Sequence, residues 1–196
     1  MPGAGANVPR GDGQANGQAA VDWYQAVFEL IDMRSFSNLW YWIALAVLWS
    51  TASHWVLGVP FDMVHRAGRD GGQAEIDLAD LVRINISRIL FVVDRSGPWL
   101  IAFTMTVLAS LVTLGFYYDV EFAQALFFLA GPMAIIGGLS VRTSRRIRRD
   151  AAQGEVLRRM MSRHRLITQI IGVISIFVTA LWGMAQNLLV TGPLGG

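Results

Sequence analysis

The sequence predicts an all-α, polytopic membrane protein: four transmembrane helices in an antiparallel bundle, plus two amphipathic interfacial helices. Three observations carry that prediction. Of 196 residues, 54% are hydrophobic and 15% charged, whereas soluble domains run about 45–50% apolar and about 25% charged. Four long stretches lack Asp, Glu, Lys and Arg altogether, and the arginines gather in alternate intervals between them. The mean hydropathy of +0.44 agrees, and it excludes disorder for most of the length. A soluble globular enzyme does not fit this composition. Without cysteine there is no disulfide framework, no thiolate nucleophile and no Cys-ligated metal.

The elements follow in order. Residues 1–20 are Gly/Ala-rich with almost no large apolar residue, which predicts a disordered tail. No basic start leads into an apolar run, so this segment is not a signal peptide. Over 21–36, Asp22, Gln25, Glu29 and Asp32 share one helical face and Trp23, Val27, Leu30 and Ile31 another. That is an amphipathic helix. Trp23, Tyr24 and Phe28 suit a membrane interface, and packing on the protein itself is equally open.

The charge-free stretches run Ser35–Phe61, Ser96–Tyr118, Phe122–Val141 and Leu166–Gly196. Each reaches the roughly 20 apolar residues that cross about 30 Å of hydrocarbon. Spans are expected near 38–58, 98–118, 122–141 and 167–189, within a domain 38–190, and 191–196 reads as a tail. Uninterrupted apolar runs suit helices, because barrel strands are shorter and alternate. Gly58 and Pro60 close the first span, and Gly192-Pro193 ends the fourth. Ser96-Gly97-Pro98 reads as a helix start, with proline in the tolerated first turn. The short connection Tyr118-Asp119-Val120-Glu121 makes the second and third spans a hairpin.

The 16 basic residues are all arginine, a bias that codon usage alone accounts for. Their positions set the orientation. Arg10 and Arg34 precede the first span. The interval 61–95 holds five arginines, the interval 142–165 holds nine, and the rest of the chain holds none. The expected topology puts 61–95 and 142–165 in the cytoplasm and both termini in the periplasm, in a bacterial inner membrane. Trp40, Trp42, Tyr117 and Tyr118 would form an outer aromatic belt, and Trp55 and Trp99 an inner one. Within 73–94, Leu78, Leu81, Val82, Ile89, Leu90 and Val93 recur at helical spacing, which predicts a second amphipathic helix along the cytoplasmic face. Residues 142–165 extend the third and fourth spans, turning near Gln153-Gly154.

Little in the spans carries chemistry. They hold no Asp, Glu, Lys or Arg, and His54 is their one ionisable group, which disfavours a proton relay. His54 and His164 are the two residues that a bis-histidine haem would use. The simpler reading makes His54 an interfacial, hydrogen-bonded group and leaves His65 and His164 solvated, with no cofactor. Asp119 and Glu121 alone make a weak cation site. Gln186 and Asn187 suit either a polar pocket or an interface. Small residues recur every four positions: Ala46, Ser50 and His54; Ala102, Thr106 and Ser110; Ala130, Ala134 and Gly138; Ser175, Thr179 and Gly183, continued by Asn187. Such stripes let helices approach, either inside the bundle or, on the third span, against a second subunit.

The densest charge is the tract Arg142, Arg145, Arg146, Arg148 and Arg149. It reads as topogenic and lipid-contacting, or as a docking site for an acidic protein. No aromatic platform accompanies it, which argues against nucleic acid. No nucleophile elbow, phosphate loop, zinc-helix motif or dinucleotide turn is present, so no enzyme activity is expected.

The stretch Phe28–Arg66, with DLVRINISRIL at 80–90 and EFAQALF at 121–127, resembles an uncharacterised family of small bacterial inner-membrane proteins, some labelled a component of the Suf iron–sulfur assembly complex. The resemblance covers about 30–190. It implies an inner-membrane protein with a protein partner, and it transfers no functional residue. The expected function is an accessory, scaffold or assembly subunit, binding a partner protein and anionic lipid at its cytoplasmic face, alone or as a homo-oligomer. The alternatives are a small transporter or channel for a neutral solute and a haem-binding redox subunit.

Overall fold

The computed structural model describes residues 39–191. The tail 1–20, the amphipathic helix expected at 21–36 and residues 192–196 lie outside the described residues. In order, the elements are α1 (Leu39–His54), β1 (Trp55–Val56), β2 (Val59–Pro60), α2 (Phe61–Asp70), α3 (Gly72–Val112), α4 (Glu121–Arg149) and α5 (Gly154–Thr191). α3 runs without a break into one wider π turn, Thr113–Tyr117. Among the described residues, three helices are long and apolar enough to cross a membrane: α3 with its π turn, α4 and α5. Within the described residues α1 covers 16 positions, which rise about 24 Å.

The first expected span ends earlier than position 58. Helix α1 stops at His54 because the next residues fold into a tight hairpin, with Trp55 opposite Pro60 and Val56 opposite Val59. Leu57 and Gly58 form the two-residue turn, with φ of 53° and 75°, the signs a type I′ connection demands. Left-handed backbone costs leucine about 1–2 kcal/mol. Burial of the Leu57 side chain offsets it. The Asn85 side-chain amide donates to the Gly58 carbonyl at 3.0 Å and fixes the turn against α3.

The helix start expected at Ser96-Gly97-Pro98 is corrected. Pro98 lies inside α3, so the amphipathic segment 73–94 and the second span are one helix of 41 residues, about 62 Å long. Proline removes only the bond to the Asp94 carbonyl, where the charged part of the helix gives way to the apolar part. A freed carbonyl there is readily solvated. The turn expected near Gln153-Gly154 is present, with Ala151 and Gly154 at positive φ. Helices α4 and α5, with 29 and 38 residues, are about 44 and 57 Å long.

All three long helices exceed the hydrocarbon thickness, and the excess lies at one end. There, the starts of α3 and α5, the end of α4, α2 and the hairpin enclose a shared core. Val59, Val64, Leu78, Val82, Leu90, Ile147, Leu157 and Met161 are all buried in it. The intervals 61–95 and 142–165 are therefore a packed helical cap rather than open loops. Glu75 and Arg158 close it with a part-buried ion pair between α3 and α5. Arg165 donates to the Ser53 carbonyl at 3.2 Å and lies 4.0 Å over the Phe61 ring. It thereby caps α1, where a cation also suits the helix dipole.

Beyond the cap the packing reverses its chemistry. α3 turns Trp99, Ile101, Phe103 and Met105 outward, with Trp99 81% exposed. An apolar surface of that extent is stable in hydrocarbon and not in water. Tyr41, Leu45 and Trp49 face α4 and α5. Trp49 lies so close to Gly172 that a Cβ there would sit 2.6 Å from its ring. Pro132 leaves the Phe128 carbonyl without its helical donor, and the Ser175 hydroxyl donates to it at 3.4 Å.

Candidate functional site

Helical periodicity builds the arginine-rich end. Arg142, Arg145, Arg146 and Arg149 fall at steps of three, one and three along α4, so they share its outer face. Ser144 and Ile147 point the other way and are buried. Asp94 of α3 lies 3.7 Å from both Arg145 and Arg148. Asp150 receives Arg146 and Arg149. Four arginines thus meet two carboxylates, which leaves a local surplus of positive charge. Arg142 and Arg163 have no ion pair among the described residues.

Three concavities adjoin this face. One of about 420 Å³ is lined by Gly138, Val141, Arg142, Arg145, Arg146 and Arg149. A second, of about 490 Å³, lies between α4 and α5, where Arg142, Arg146, Arg159 and Arg163 converge above His164. The third is an apolar groove of about 1190 Å³ between α3, α4 and α5, running from Arg145 down past Gly131 to Phe127. It meets the first at Gly138, Val141 and Arg145.

His65 is exposed, as expected, and the other two histidines do not stand as expected. His164 is buried rather than solvated. Its two ring nitrogens lie 3.4 Å from the Ser140 hydroxyl and 3.1 Å from that of Thr143. His54 is exposed at the end of α1, its ring edge-on to Trp55. Of the small-residue stripes, Ser175, Thr179 and Gly183 face inward, and Thr179 meets the Tyr41 hydroxyl. Ala130 and Ala134 are half-buried, and Gly138 opens into the groove. The other two stripes are corrected. Ala46, Ser50 and His54, and Ala102, Thr106 and Ser110, are exposed, because bulky Tyr41, Leu45 and Trp49 make the α1 contact and α3 packs little beyond Gly97.

Gln124, which the sequence reading passed over, organises the opposite end. Its amide nitrogen donates to the Gly115 carbonyl at 2.8 Å and to Asp119 at 3.1 Å. Its amide oxygen accepts from Trp182 and Gln186, each at 2.9 Å. The signal available beforehand was a lone polar residue in an apolar run, which must find partners. Gly115 is required here, since a Cβ would lie 2.9 Å from the Gln124 backbone nitrogen.

No family model, no curated protein and no solved structure matches this chain. What the fold itself defines is an all-helical protein that has, among the described residues, three helices long and apolar enough to cross a membrane.

Proposed function

We propose that this chain is an integral inner-membrane accessory or scaffold subunit, in which apolar helices anchor a cytoplasmic cap that binds an acidic partner protein and anionic lipid. The observation that carries this reading is the division of the molecule. One end has its own packed core and a surplus of arginine. The rest is apolar and outward-facing. In this reading α1, α3, α4 and α5 make an antiparallel four-helix bundle, with α1 as a fourth membrane-embedded helix. The arginine-rich end faces the cytoplasm, as positive-inside topology requires.

Binding, rather than catalysis or transport, also suits the polar groups. A haem between His54 and His164 would have to take His164 from its two hydroxyl partners. The Gln124 amide is fully engaged with its neighbours, so it fastens helices rather than lining a solute path.

The test is purification of the full chain from its native membrane in mild detergent, with mass spectrometry of what co-elutes. One partner in stoichiometric amount is expected. It should be lost from a variant combining Arg142→Glu, Arg146→Glu and Arg149→Glu that still sediments with membranes. Recovery of the chain alone, or undiminished partner on the variant, overturns the reading.

A further inference from the structure

The groove and the arginine concavity form one continuous cleft with two chemistries. Its deep part is apolar, and its rim is cationic. Along α4 the apolar part extends from Gly138 to Phe127, about 16 Å at 1.5 Å per residue. That is about half the hydrocarbon thickness of a bilayer, the depth of one leaflet. A ligand that fills it must be amphipathic, with a hydrocarbon tail of leaflet length and an anionic head.

We infer that this cleft is a discrete binding site for one anionic phospholipid, its acyl chains along Gly131–Gly138 and its phosphate between Arg142 and Arg145. The inference rests on the reading that these helices span a membrane. Charge complementarity selects the occupant. A second copy of this chain, lying in the same orientation, would bring its own arginines to the same level, and like charges at an interface disfavour that contact. A phospholipid brings the opposite charge at the right depth. It also meets an open wall: a Cβ added at Gly137 or Gly138 would touch nothing within 4 Å. Glycine in a helix interior costs stability relative to residues with side chains, and here its absent side chains leave the groove open.

The wall supplies a selective probe. Gly138→Leu starts from a position where a Cβ meets nothing within 4 Å, projects its side chain into the groove and raises helix propensity, and its melting temperature separates loss of ligand from loss of fold. A second variant, Arg142→Gln with Arg145→Gln, removes the head-group contacts and leaves the groove intact.

The full chain, purified in detergent, is mixed with equal amounts of phosphatidylglycerol and phosphatidylcholine of matched chains. Native mass spectrometry then counts bound lipid. One phosphatidylglycerol per chain is expected, preferred over phosphatidylcholine by about tenfold or more, the scale of two cations acting on an anionic head group. Gly138→Leu should lose both lipids while its melting temperature holds or rises. The double glutamine variant should bind both lipids alike.

Equal binding of the two lipids to the unaltered chain overturns the proposal, as does undiminished lipid on Gly138→Leu. A lipid-free dimer that Gly138→Leu dissolves overturns it in favour of a second copy. Failure of the membrane reading looks different: the chain would then stay in the aqueous fraction without detergent. Failure of partner docking also leaves this assay untouched, because no partner is present in it.

Discussion

Gln124 is 1% exposed, and its side chain ties α4 to α5 and to the π turn that ends α3. The π turn is part of the same device. A helix end leaves carbonyls without donors. Here Thr113 receives the Tyr118 N–H, Leu114 receives that of Val120, and Gly115 receives the Gln124 amide. Gln124→Leu keeps the approximate volume and removes the amide. It leaves the Gly115 carbonyl and the Trp182 and Gln186 donors without this partner. A buried polar group so orphaned costs about 1–3 kcal/mol, so a loss of at least that size is expected. Unfolding by SDS in mixed micelles measures it, and unchanged stability would sink the account. The sequence showed that Gln124 interrupts an apolar run. It did not show which helices converge on it, since Gly115 and Gln186 reach it only through the chain reversals. His164 failed to be legible for a related reason. Its neighbours Arg163 and Arg165 suggest a surface, but helical rotation turns position 164 inward while 163 points out.

Element by element, the pattern of burial explains what periodicity can and cannot read. Along α5 the buried positions are Leu157, Met161, His164, Thr168, Gly172, Ser175, Thr179 and Gly183. The spacing of three and four never falters, yet the residue type changes from apolar to small and polar after Met161. Apolar periodicity therefore finds the helix in the cap, where burial from water follows apolar side chains, and loses its face in the apolar part, where outward residues are apolar too and close contact through small residues governs packing. The same crossover misplaced the start of the second span. Leu78, Val82, Ile86 and Leu90 are buried every fourth residue, and after Gly97 almost nothing on α3 is. The break in pattern at Pro98 is a change of surroundings within one helix. Pro98→Ala separates the two accounts. In a helix interior proline costs about 3 kcal/mol relative to alanine, and in a first turn almost nothing. A rise in stability of up to about 3 kcal/mol is expected for this variant in the same micelle assay. No change would place Pro98 at a helix start.

At the scale of the whole molecule, charge is segregated along the long axis. The carboxylate and guanidinium groups of α3, α4 and α5 stop at Arg95, Arg142 and Arg165 at one end and resume at Asp119 and Glu121 at the other. These limits are level in space, because Asp94 of α3 meets Arg145 of α4, and Ser140 and Thr143 of α4 meet His164 of α5. That banding was legible as charge-free stretches. The cap was not, because its joints, Glu75 with Arg158 and Asp94 with Arg148, pair residues far apart in the chain. If the apolar band lies in a bilayer, residues beyond its two limits face different compartments. The chain has no cysteine, so single cysteines report position without background. Gln73, Gln153 and Tyr118 are exposed, the first two on the cap and the third at the opposite end. A membrane-impermeant maleimide applied to spheroplasts should label Tyr118→Cys and spare Gln73→Cys and Gln153→Cys, and permeabilisation should equalise all three. Labelling of all three from one side would mean that the α3–α4 hairpin does not cross, and the membrane-anchored cap would fall with it. Labelling of only the two cap positions would keep the anchor and invert the orientation, placing the arginines on the side that positive-inside topology forbids.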